Sequence, residues 1–282
     1  LLGRDEVLSI LGDAPARMAD DAALLSLAQE LGDEHRLAEA LYRQGCFVQN
    51  QGDDLAALRA FDAGLQYARR AGDRPLEAQL LGVTVVSLAR LGELESADQA
   101  VQAALAASQE LAGDSPETQR LRAGVLINIS HYYLASGDYA RAAQIFDQQY
   151  SIQARLGNLR EQLSSLTNLG YVSVLLGRFA DGIDHLEKAV ALAERIGSRR
   201  DGAYNRLNLG LAYSRRGDVQ AAQAVLEQAL ANLAAVGDLF GQACGQFYLA
   251  LILEGQADRL EVGQPTGPLF AQAAAAFRRL NA

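Results

Sequence analysis

Asn208-Leu209-Gly210-Leu211-Ala212-Tyr213-Ser214-Arg215-Arg216-Gly217-Asp218 runs on through Ala222, Leu226 and Ala229. Gly217 stands between two runs of Ala, Leu, Gln, Arg and Glu, which are strong helix formers. A glycine just past a helix end supplies the positive φ needed there. The aspartate after it can cap the next helix. Gly210 and Ala222 are small, and Leu226 is large and apolar. Small residues where two helices cross, with bulky ones beside them, specify a close-packed helix hairpin. The helix before such a glycine is termed A and the one after it B.

The same phrase recurs along the chain. Glycines fall at 12, 32, 52, 72 and 92, then at 113, then at 137, 157, 177, 197, 217 and 237. The spacing is 20 residues, with one extra residue before Gly113 and four before Gly137. Repeats of this length announce a repeat architecture. Around Gly52, Gly92, Gly137, Gly177 and Gly217, the residue seven before is Gly45, Val85, Ser130, Gly170 and Gly210. Five after stand Ala57, Ala97, Ala142, Gly182 and Ala222. Nine after stand Phe61, Val101, Phe146, Leu186 and Leu226. Apolar residues recur at three and four, as in Leu55, Leu58, Phe61 and Leu65. All five prolines (Pro15, Pro75, Pro116, Pro265, Pro268) fall at helix starts or loops. The pattern predicts about fourteen antiparallel helices and no strand.

This pattern resembles the tetratricopeptide repeat, in the longer 40-residue form of kinesin light chains, bacterial peptide-pheromone receptors and the sensor regions of large bacterial ATP-dependent transcriptional activators. The best copies are Asn168-Leu169-Gly170 with Gly177, Phe179, Gly182, Leu186 and Ala189, and the stretch quoted first. The resemblance covers nearly the whole chain. It implies an all-α, right-handed superhelical solenoid of about six antiparallel helix hairpins. On that register, 1–33 is a partial repeat and 34–73, 74–114, 115–158, 159–198 and 199–238 are full ones. Residues 239–282 form a last repeat interrupted at 255–268. The whole is one domain, expected to be a fragment of a longer protein because the Leu1 end lacks a polar cap.

Composition narrows the function. The 282 residues carry a net charge of −9, which argues against nucleic acid as the partner. No apolar run approaches the roughly 20 residues needed to span a bilayer. Cys46 and Cys244 stand alone, which fits a reducing cytoplasm. His35, His131 and His185 lack paired ligand spacing, so no metal is expected. No phosphate-binding glycine loop or catalytic constellation is visible, so neither cofactor nor enzymatic activity is expected. Asp53-Asp54 and Glu93 with Glu95 read as helix-start charges. Arg216-Gly217-Asp218 matches an integrin-recognition tripeptide but reads as a helix-end turn.

The resemblance implies that A helices line a concave groove. Nine residues before the A-ending glycines lie Arg43, Val83, Asn128, Asn168 and Asn208, with Tyr248 in the last repeat. Three asparagines thus recur at intervals of 40. An amide both donates and accepts, so a ladder of them could hold the backbone of an extended peptide. Each could equally make a local bond between helices. Flanking groove positions hold Tyr42, Cys46, Gln49, Asn50, Ile127, His131, Thr167, Tyr171, Tyr204, Leu207, Leu211, Arg215, Phe247 and Leu251. Aromatic residues with arginines are the composition of a binding surface. The expected partner is a protein or peptide segment in the groove, within a bacterial cytoplasmic signalling or transcription-regulatory protein, with self-association possible at the solenoid ends. Two alternatives stay open: a closed small-molecule pocket near Tyr171, Tyr204 and Asn208, and a scaffold that works through its B helices.

Overall fold

The computed structural model describes residues 14–253, with side chains from 23 to 252. Gly12, the insertion at 255–268 and the helix expected after it lie outside the described residues. Among the described residues the chain is all-α, a solenoid of repeated helix hairpins without strands. The helices are α1 (Ala14–Leu31), α2 (Glu34–Asn50), α3 (Asp54–Ala71), α4 (Arg74–Arg90), α5 (Leu94–Gln109) and α6 (Pro116–Ser136), then α7 (Tyr139–Leu156), α8 (Leu159–Leu175), α9 (Phe179–Arg195), α10 (Arg199–Arg216), α11 (Val219–Ala235) and α12 (Leu239–Leu253). None of them is long and apolar enough to cross a membrane.

The caps explain the boundaries. Every linking glycine from Gly32 to Gly237 takes a positive φ, between 63° and 95°. A side chain there would be strained, so glycine ends each helix at little cost. The next residue then starts the following helix. Asp53 Oδ1 accepts from the Ala56 N–H at 2.9 Å, and Asp73 Oδ1 from the Leu76 N–H at 3.0 Å. Asp218 departs from the expected cap: its carboxylate instead pairs with Arg216 across Gly217. The integrin-like tripeptide is therefore a self-paired helix-end turn. The extra residues before Gly137 lengthen α6 to 21 residues.

Contacts divide the chain into two compact units, 1–137 and 138–282. In the first, α2 packs on α3, α3 on α4, α4 on α5, and α6 on both α4 and α5. In the second, each of α7 to α12 packs on the next. The small-to-large pairs read from the sequence are the hairpin contacts. A Cβ on Gly45 would stand 2.3 Å from Phe61 Cε1, one on Gly170 2.5 Å from Leu186 Cγ, and one on Gly210 2.6 Å from Leu226 Cγ. Such approaches are forbidden to a real Cβ, so only glycine lets these helices meet. Phe61, Leu186 and Leu226 are completely buried as a result.

One groove expectation fails inside the first unit. Gln49 is buried, and its amide donates to the Val83 carbonyl at 3.1 Å and to Ser87 Oγ at 2.8 Å. The Ser87 hydroxyl in turn donates to Asp54 Oδ1 at 2.9 Å. A buried amide must be satisfied internally. Gln49 therefore clasps α2 to α4 rather than facing a ligand. Asp54, expected to act through the helix dipole, anchors the same network.

Candidate binding clefts

Each unit carries a cleft lined by A helices. In the first, α2, α4 and α6 enclose about 270 Å³, with Tyr42, Gln79, Val83, Arg120, Leu121 and Asn128 in its walls. In the second, α8, α10 and the start of α12 enclose about 700 Å³. Its lining includes Arg160, Thr167, Asn168, Arg200, Tyr204 and Phe240.

The second cleft has a fixed wall and a free edge. Asn205 is 2% exposed, and its amide is used at both ends. Its Nδ2 donates to the Asp201 carbonyl at 2.9 Å, and its Oδ1 lies 2.9 Å from the Thr167 hydroxyl. At the α12 end, Asp238 accepts from the Gly241 N–H at 2.8 Å, from Arg200 Nε at 2.7 Å and from the Tyr204 hydroxyl at 3.2 Å. Burial opposes ionisation of Asp238, but these donors overcome it and hold the carboxyl below its ordinary range. Burial, with Asp238 beside it, pushes the Tyr204 phenol up. Against this braced background Asn168 is half-buried, and among the described residues no hydrogen bond engages its amide. The same holds for Asn128 in the first cleft and for Asn208 on α10. No local bond between helices occupies any of the three.

The structure brings some candidates together and separates others. Asn128 and Tyr42 share the first cleft, and burial together with nearby Cys46 raises the Tyr42 phenol strongly. Asn168, Thr167 and Tyr204 share the second. Of Tyr171, Tyr204 and Asn208, only Tyr204 lines that cleft; Tyr171 and Asn208 sit half-buried elsewhere on α8 and α10. Arg43 is half-buried and paired with Glu39 at 3.4 Å. Asn50 is exposed at the end of α2, and Arg215 is half-buried near the end of α10. His131 is exposed on α6; the burial its ring retains, and then the Arg90 guanidinium, hold it below the usual imidazole value.

Tyr248 is a correction. Its ring is 2% exposed and belongs to the core with Leu226 and Leu233, and Phe247 packs against that core. Leu207, Leu211 and Leu251 are buried in the same cluster rather than facing a groove. Helix α12 lies on α11 and touches α10, so the side of it expected to face a ligand is consumed by packing. Sequence reasoning missed Arg120, Arg160, Arg200, Asn205 and Phe240. The register could have found the arginines, because all three stand 17 residues before an A-ending glycine. Among the described residues no group of three His, Cys, Asp or Glu could hold a metal ion.

Two tetratricopeptide-repeat family models match, over residues 123–155 and 161–235. No curated protein matches the chain. Among solved structures, BtubC from P. vanneervenii is similar at 20% identity and a TM-score of 0.59, over 79% of this chain and 91% of that one. A signal transduction ATPase with numerous domains and a tetratricopeptide repeat sensor, from Pyrococcus horikoshii, is similar at 12% identity and a TM-score of 0.67. That likeness covers 98% of this chain but 44% of the ATPase. A Rap protein complexed with competence and sporulation factor matches at 14% identity and a TM-score of 0.59, over 91% of this chain and 75% of that one. At these identities the likeness is one of fold.

Proposed function

We propose that this chain, which carries tetratricopeptide repeats over 123–155 and 161–235, is a binding module whose A-helix clefts receive an extended segment of a partner protein or peptide. The observation that carries this reading is the state of Asn168. Its amide lies in the wall of an open cleft with no internal partner, while its neighbour Asn205 has a partner at each end of its amide. An amide left with both a donor and an acceptor matches a peptide backbone, which presents one N–H and one C=O per residue. Thr167, Tyr204 and Phe240 give the same cleft polar and aromatic walls, the usual make-up of a protein-binding surface. Asn128, at the same register in the first unit, supplies a second such amide beside Tyr42.

The setting we propose is the sensor or interaction region of a bacterial cytoplasmic signalling or transcription-regulatory protein. The fold-level similarity to a Rap protein and to a signal transduction ATPase supports it. Chemistry on the partner is not part of this reading; the clefts hold and orient. Fluorescence titration of a peptide library against the chain tests it. Saturable binding that weakens when Asn128, Asn168 and Asn208 are all replaced by alanine is expected. Unchanged binding in the triple variant would end the role given to the amides.

A further inference from the structure

The position 17 residues before each A-ending glycine holds His35, Pro75, Arg120, Arg160 and Arg200 in successive repeats. Two of these side chains have the same kind of partner. His35 Nδ1 lies 2.6 Å from Asp73 Oδ2, and Arg200 Nε lies 2.7 Å from Asp238 Oδ2. In both cases the aspartate directly follows the next B-ending glycine, Gly72 or Gly237. In both it uses its other oxygen on the following A helix, on the Leu76 N–H in one and the Gly241 N–H in the other. A basic side chain at this register therefore reaches a carboxylate placed one hairpin further on.

Arg120 and Arg160 have no such carboxylate. At the register of Asp238, within the same unit, the chain places Ser198 for Arg160. Ser198 spends its hydroxyl on Asp201. Among the described residues neither arginine has an ion pair or hydrogen bond, although both are exposed in an acidic chain. Among the other described A-helix arginines, Arg36, Arg74, Arg90, Arg122 and Arg206 are paired with carboxylates, whereas Arg199 at the first position of α10 is not and lines neither cleft. Glu161 does not serve Arg160, since adjacent residues on a helix point about 100° apart. Each unpaired arginine lines a cleft together with an unpaired asparagine eight residues on: Arg120 with Asn128, and Arg160 with Asn168.

We propose that Arg120 and Arg160 each receive a carboxylate side chain from a segment bound in its own cleft, so that the partner is an acidic peptide rather than a neutral or basic one. The inference rests on the binding role proposed above and adds the chemistry of the ligand. Arg200 with Asp238 shows the contact in place. At Arg160 the chain omits its own aspartate, and the partner's Asp or Glu occupies that position, with guanidinium and carboxylate matched in geometry. The asparagine holds the segment's backbone while the arginine reads its charge.

The test is selection of a randomised dodecapeptide display library against the full chain and against an Arg120→Gln/Arg160→Gln variant. Both side chains are exposed, so the variant is expected to keep its circular dichroism and Tm. Peptides selected on the unaltered chain are expected to be enriched in Asp or Glu at a fixed position. Synthetic versions of the selected peptides with Asn or Gln at that position are expected to bind about two- to fivefold more weakly per arginine engaged, the range for exposed ion pairs. The double variant is expected to lose that difference while still binding. Selected peptides without acidic enrichment, or a preference that survives in the double variant, would overturn the acidic assignment and leave the cleft role standing. Selection of no peptide at all would overturn both.

Discussion

The Thr167 hydroxyl stands 2.9 Å from the side-chain oxygen of Asn205, tying α8 to α10 in the wall of the second cleft. The other end of the Asn205 amide is bonded to Asp201, and the side chain is buried. Replacing Asn205 by alanine removes both bonds and leaves a cavity. A loss of about 1–3 kcal/mol is expected, the usual cost of breaking a buried polar contact. Urea unfolding monitored by circular dichroism measures it. Asn168→Ala, which removes no internal bond, is expected to leave that midpoint within about 0.5 kcal/mol of the original.

Two glycines in A helices should respond with opposite sign to the same substitution. A methyl group on Gly170 would meet Leu186 Cγ at 2.5 Å and the Gly182 carbonyl at 3.3 Å. Gly170→Ala is therefore expected to destabilise by about 1–3 kcal/mol through overpacking, despite alanine's better helix propensity. Gly124, inside α6, has open space where its Cβ would stand. Gly124→Ala is expected to stabilise by about 0.5–1 kcal/mol, since only the propensity term remains. Thermal unfolding of the two variants checks both signs.

Acid should loosen the first unit through Glu77. Burial opposes its ionisation, but donors from Arg69 Nε at 2.9 Å and Arg74 at 2.7 Å outweigh that and hold its pKa below the ordinary value. A depressed folded-state pKa adds stability at any pH above the unfolded value. That stability is lost as pH falls from there through the folded value. The Tm is thus expected to fall more steeply below about pH 4 in the unaltered chain than in Glu77→Gln. Parallel curves for the two proteins would contradict the assignment.

The repeat was legible because its signals are local. A glycine with positive φ announces each joint, and at several of them an aspartate such as Asp53 or Asp73 caps the next helix. The pairs Gly170 with Leu186 and Gly210 with Leu226 announce how two neighbouring helices meet. The cleft was harder to read. A helix packed on both sides carries apolar residues nearly all round, so the contrast that marks a free face fades. Helix α10 packs on both α9 and α11, which is why Leu207 and Leu211, expected to face a ligand, are core. Tyr248 was misread for the same reason. Asn205 gave no repeat signal, since its bond to Thr167 belongs to one hairpin junction alone.

Cys244 offers a check on the core of the second unit. Its side chain is 1% exposed, and burial, with Asp238 nearby, pushes the thiol up to about 12. The thiolate is the reactive form. Iodoacetamide at pH 8 is expected to leave Cys244 unmodified in the native chain and to alkylate it in 6 M guanidinium, as read by peptide mass spectrometry. Modification of the native protein would place α12 elsewhere.

Amide hydrogen exchange of the chain with and without a saturating selected peptide tests the binding role most directly, because it locates the bound segment on the helices themselves. Added protection is expected in α8, α10 and the start of α12, around Asn168 and Tyr204, with α9 and α11 unchanged. Protection confined to α9 and α11, or none at peptide saturation, would show that the A-helix cleft is not where a partner is held.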